Sequence, residues 1–213
     1  MKLAVISRLS SVAVPLGLVA LFATGSLLAQ PATIKVLVVY TDKAKQSTGS
    51  NIAAHAATNI DAMNAQLEAS GLAGVAQVVL AGAVDDLVDG GDPPEAYDEN
   101  DPNMGNGTYV GVAQDVTANA GTYKADGKTI TELRTETQAD MVFVVSDTNA
   151  PCCGGANAIL IGTEGDYQNY VAAVHPGNAQ TVIDDDWLHE LAHLAGARHS
   201  DTTYPTPGGA HEQ

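Results

Sequence analysis

At 213 residues and 21.8 kDa, the chain suits one domain, or one domain split into two lobes. Acidic residues outnumber basic ones 25 to 9, and the net charge of −16 repels phosphate, which argues against a nucleic-acid partner. With 45% hydrophobic and only 16% charged residues it is no disordered acidic tail, and its two cysteines, Cys152 and Cys153, exclude a disulfide scaffold or a four-thiolate zinc site.

Lys2 and Arg8 open the chain, and an uncharged apolar run extends from about Ser11 to Ala29. Its length would span a membrane. Its position, its basic flank and the internal Pro15 and Gly17 favour a secretory signal peptide over residues 1–29, cleaved after Ala29. An uncleaved N-terminal anchor is the alternative. No cysteine follows at the cleavage point, which argues against a lipoprotein. The expected location is therefore secreted, extracellular or periplasmic, with no membrane contact once the leader is removed.

Ile34 to Tyr40 is a β-branched run with little polarity. It predicts a buried strand, parallel to its neighbours, that ends at Thr41-Asp42. From Ser50 to about Ala69, Ile52, His55, Ala56, Ile60, Met63 and Leu67 recur every three or four residues. That spacing predicts an amphipathic helix closed by Ser70-Gly71. Val75 to Val84 is a second strand, so the opening order suggests a crossover unit.

Residues 85–107 read as a solvated acidic loop holding Asp85, Asp86, Asp89, Asp92, Glu95, Asp98, Glu99 and Asp101. Clustered carboxylates are hard-ion ligands, but no EF-hand spacing is present, so Ca2+ stays unsupported. Val110–Ala118 and Thr129–Thr137 are expected to be helical. Met141–Val145 is the strongest remaining strand, Gly154–Ile161 a weaker extended stretch and Val171–His175 a short one. The fold class expected is α/β (α+β): a twisted mixed sheet with one late helix.

That late helix holds the strongest signal, His189-Glu190-Leu191-Ala192-His193-Leu194-Ala195-Gly196-Ala197-Arg198-His199, or H-E-x-x-H-x-x-G-x-x-H. His189 and His193 are four apart, so on a helix their imidazoles share one face and can reach one metal ion. Glu190 is turned about 100° away from His189 and is placed to take a proton from a metal-bound water. Gly196 can adopt the left-handed conformation that ends the helix and reverses the chain. The reversal brings back His199 as a third ligand. Three histidines with one open position make a catalytic zinc arrangement, not a closed structural one.

With this motif the sequence resembles the metzincin zinc endopeptidases. More narrowly it resembles the reprolysin-like group that includes bacterial peptidyl-Asp metalloendopeptidases. Val36 to Thr41 is similar to that family's first strand, Ile52 to Leu72 to its first helix, and Asp140 to Val145 to its central strand. Cys153-Gly154 and Ala156 to Leu160 resemble the edge strand that follows. The resemblance implies a metzincin-like upper lobe with one catalytic Zn2+ on His189, His193 and His199 and with Glu190 as general base. It also implies that Ala156, Asn157, Ala158, Ile159 and Leu160 pair with an extended peptide or protein substrate by strand addition. Residues 30–213 would form the catalytic domain.

The chain departs from the family in several places. Metzincins carry a methionine in a tight turn downstream of the third histidine, whereas Met1, Met63, Met104 and Met141 all precede His189. The catalytic domain is therefore expected to be C-terminally incomplete, with the lower lobe mostly missing. Ala192 stands where the family commonly has Gly, and Ser200 where reprolysins have Asp.

The expected function is a secreted zinc-dependent endopeptidase that hydrolyses peptide bonds with zinc-activated water and a Glu general base. The alternative is a catalytically inactive zinc-binding module or a truncated remnant of such a peptidase. Cys152-Cys153 could form a strained vicinal disulfide or a thiolate site, but the expectation is that one of them lost its partner with the missing C-terminus or that both are free. His55 and His175 read as packing residues. One of Asp184, Asp185 and Asp186 is expected to cap the zinc helix, or to support a ligand histidine from behind.

Overall fold

The computed structural model describes residues 30–150, 154–156, 171–176 and 185–195. A five-stranded sheet runs through them. Its strands in chain order are β1 (Ala32–Tyr40), β2 (Ala76–Val84), β5 (Met141–Val145), β6 (Gly154–Ala156) and β7 (Val171–Val174). The spatial order is β2-β1-β5-β7-β6. β1 pairs in parallel with β2 and β5, and β5 pairs in parallel with β7; only β6 runs antiparallel, at the edge. The sheet is mixed, as expected, and the β-branched run that opens the chain lies near its centre.

Period-two alternation along β1 feeds two cores. Val36, Val38 and Tyr40 face the layer formed by α2 (Ile52–Ala69) and α5 (Asp185–Leu194). Leu37 and Val39 face the layer formed by α3 (Tyr109–Asn119) and α4 (Ile130–Thr137). Both faces are covered, which is why β1 and β5 read as continuous apolar runs. The predicted face of α2 is the one that packs: Ala56, Ile60, Met63 and Leu67 are all buried.

Polar residues start the helices where the sheet ends. Asn51 accepts a hydrogen bond from the Ala54 N–H at the start of α2, and Thr108 accepts one from Gly111 at the start of α3. Thr129 and Glu132 form a reciprocal capping box on α4.

Three features differ from the sequence expectation. A short helix, α1 (Asp42–Ser47), follows β1 directly, with Thr41 as its N-cap. It shows no apolar period because only Ala44 is buried. A two-residue hairpin pairs β3 (Lys124–Ala125) with β4 (Lys128–Thr129) before α4.

The third difference lies in the acidic loop, which is not simply a solvated surface. Leu87 and Tyr97 enter the core, and Glu99 is 1% exposed. Glu99 Oε1 accepts from the Thr41 hydroxyl at 3.1 Å and from the Asp147 N–H at 2.9 Å. The carboxylate thus fastens the loop across the C-terminal ends of β1 and β5. Asp85 and Asp86 instead pair with Lys45 at the surface, at 2.6 and 3.1 Å.

Candidate metal centre and active site

α5 is held to the sheet by its apolar stripe. Trp187, Leu191 and Leu194, spaced four and three apart, are all buried in the same core. Trp187 lies against Phe143 of β5 at a ring-centroid distance of 5.4 Å and against His55 of α2 at 6.2 Å. One side chain therefore locks the helix to both a strand and a neighbouring helix.

His55 is a packing residue, as expected, and it also carries hydrogen bonds. Its Nε2 meets the Pro176 carbonyl oxygen, which can only accept, so Nε2 bears the proton. Nδ1 then accepts from the Tyr40 hydroxyl at 2.8 Å. Burial keeps the ring neutral by lowering its pKa, against the opposing pull of the Pro176 carbonyl. His175 packs edge-on against Tyr109, with ring centroids 6.2 Å apart.

With the buried stripe fixed, the motif residues fall on defined faces. His189 is exposed and His193 half-buried. Their Nε2 atoms are 3.0 Å apart and their rings meet edge to face at 4.6 Å. Two imidazole nitrogens this close can both reach one ion held at about 2.1 Å from each. Glu190 turns inward and is only 5% exposed. Its Oε2 is buried and has no hydrogen-bond partner among the described residues. A buried carboxylate oxygen left so costs about 1–3 kcal/mol or more, which a protein tolerates where a ligand or reactant completes the site.

Burial pushes the Glu190 carboxyl up to about 8, and the negative charge of Asp186, one turn earlier, adds to the effect. A cation held by the neighbouring histidines would act in the opposite direction. Asp185 is the first residue of α5 and Asp184 lies outside the described residues, as does Gly196, two residues beyond the last helical residue, Leu194.

The donor set fits zinc: neutral imidazole nitrogens are its ordinary ligands, and a buried carboxylate stands beside the two that converge. Among the described residues no group of three metal-ligating side chains converges. His199 lies outside them, as do Cys152 and Cys153, and Asn157, Ala158, Ile159 and Leu160 of the expected substrate strand. Ala156 is described. It closes β6, at the edge of the sheet and in the core that α5 also enters.

The profile of metallo-peptidase family M12 (Reprolysin_5) matches residues 30–212. The chain belongs to this family. No curated protein shows a significant match to it. The M12 assignment makes the protein a metallopeptidase that acts on peptide or protein substrates, and zinc is the metal the family generally uses. The mixed sheet with α5 packed beneath it accords with the upper lobe of such an M12 enzyme.

Sequence reasoning overlooked one close contact of Glu190. Glu190 lies directly over Gly154 of β6, where a Cβ would come within 2.8 Å of its Cγ and 3.0 Å of its Oε1. The signal was present as Gly154-Gly155 inside an extended stretch, since paired glycines in a strand mark a close approach.

Proposed function

We propose that the protein is an exported zinc endopeptidase in which His189, His193 and His199 hold the metal and Glu190 is the general base. The observation that carries this reading is the pairing on α5 of two convergent imidazoles with a buried carboxylate oxygen that lacks a partner among the described residues. Zinc, when bound there, supplies Lewis acidity toward the scissile carbonyl and toward water. Glu190 takes the proton that water loses as its oxygen bonds to the carbonyl carbon. The same carboxyl then delivers that proton to the amide nitrogen as the C–N bond breaks, leaving a carboxylic acid and an amine.

Burial of Glu190 keeps bulk water from competing for that proton. Trp187 and Leu191 fix the helix on which the three groups ride. Among the described residues β6 is an edge strand, which supports strand addition of an extended peptide along residues 156–160, with main-chain hydrogen bonds giving grip. The apolar run that ends at Ala29 supports export, and the acidic surface suits a water-exposed compartment.

The test is cleavage of an unfolded protein by the purified chain with zinc added. Zinc-dependent cleavage that a chelator abolishes and fresh zinc restores is the expected result. A folded sample that binds one zinc and cleaves nothing would overturn the proposal in favour of an inactive zinc-binding module.

A further inference from the structure

Edge strand β6 is squeezed between two helices. On one side, a Cβ at Gly155 would lie 2.6 Å from the Val110 N and 2.9 Å from the Tyr109 carbonyl carbon, at the start of α3. On the other side, a Cβ at Gly154 would lie 2.8 Å from Glu190 Cγ, 3.0 Å from Glu190 Oε1 and 3.2 Å from the Ala173 carbonyl oxygen. At Gly154 the two closest contacts are with one side chain, and that side chain bears the buried carboxylate. Ala156, two residues on and on the same face, keeps its methyl group in the core. On this face of β6 the need for a bare backbone is thus local to the position beneath Glu190.

We propose that Gly154 is a positioning residue for the peptidase reaction: its missing side chain is the space in which the Glu190 carboxylate is seated. The proposal rests on the reading of Glu190 as general base. Carbon atoms pack at about 3.5–4.0 Å, so a methyl group at Gly154 would drive Glu190 Cγ back by about 1 Å. Glu190 is enclosed on the other sides, so the shift cannot be absorbed in solvent. A displacement of about 1 Å at a reacting group can cost on the order of 100-fold in rate. His189 and His193 leave α5 on other faces, so metal binding is untouched.

Four forms of the full chain test this: wild type, Gly154→Ala, Glu190→Ala and the double variant, which removes the Glu190 atoms that the new methyl meets. In Gly154→Ala, kcat falls about 100-fold while KM stays within about threefold and bound zinc remains one per chain. Its unfolding equilibrium constant rises about tenfold or more over wild type, as overpacking predicts. In the Glu190→Ala background the same glycine substitution has little effect on that constant. An equal destabilisation in both backgrounds would overturn the proposal, because the obstacle would then be the Ala173 carbonyl. Unchanged kcat in an active enzyme would also overturn it. Should Gly154→Ala fail to fold, folding of the double variant supports the proposal and its failure refutes it. If wild type does not cleave peptides, the peptidase reading fails by itself, and the stability comparison still decides whether Gly154 makes room for Glu190.

Discussion

Replacing Trp187 by alanine should loosen the helix that carries the proposed zinc ligands. The ring is 1% exposed and touches both Phe143 and His55, so its removal empties the junction of α5, β5 and α2. A buried Trp covers about 150–250 Å², which at about 25 cal/mol per Å² corresponds to about 4–6 kcal/mol as an upper bound. Measured losses for Trp→Ala in cores run about 3–5 kcal/mol, and we expect a value in that range. With a urea slope of about 2 kcal/mol per M, the midpoint should fall by about 2 M. Trp187→Phe keeps a ring against Phe143 and should lose much less. Unfolding must be followed by far-ultraviolet circular dichroism, because Trp187 is the protein's one tryptophan. A loss below about 1 kcal/mol for Trp187→Ala would refute the claim that this ring anchors α5.

Two further predictions concern parts of the frame away from the metal. Thr129→Ala removes one half of the capping box on α4 and should cost about 1 kcal/mol in urea unfolding; no measurable loss would show that the box is redundant. Burial holds the Glu99 carboxyl above its ordinary range, against the hydrogen bonds from Asp147 and Thr41. The folded state therefore binds this proton more tightly than the unfolded chain. The stabilisation is complete below the unfolded value, about pH 4.3, and is lost as pH rises through the folded one. Glu99→Gln keeps an acceptor for both donors and should gain stability relative to wild type between pH 4 and pH 7. A relative loss over that interval would contradict the sign.

Much of this architecture was legible because its signals are local. The strand Val36–Tyr40 and the helix Ile52–Ala69 declare themselves by period two and period 3.6. The zinc motif is legible for the same reason, since His189 and His193 meet through helix geometry alone. The acidic loop was misread because a carboxylate among aspartates looks solvated. Glu99 is buried by partners 58 and 48 residues away in sequence, and no local pattern announces them. α1 carries two lysines and an aspartate in six residues, which hides it from any apolar period. The contact between Gly154 and Glu190 joins an edge strand to a helix, so sequence offered only the glycine pair as a hint.

The most direct test compares wild type with Glu190→Gln in one preparation of each, measuring bound zinc and cleavage of an unfolded protein side by side. The amide keeps the shape of the carboxylate and cannot take the proton. The account predicts one zinc per chain in both proteins, with cleavage in wild type and a loss of at least about 100-fold in the variant. Cleavage by Glu190→Gln at the wild-type rate, or wild-type protein that cleaves equally well without zinc, would contradict it.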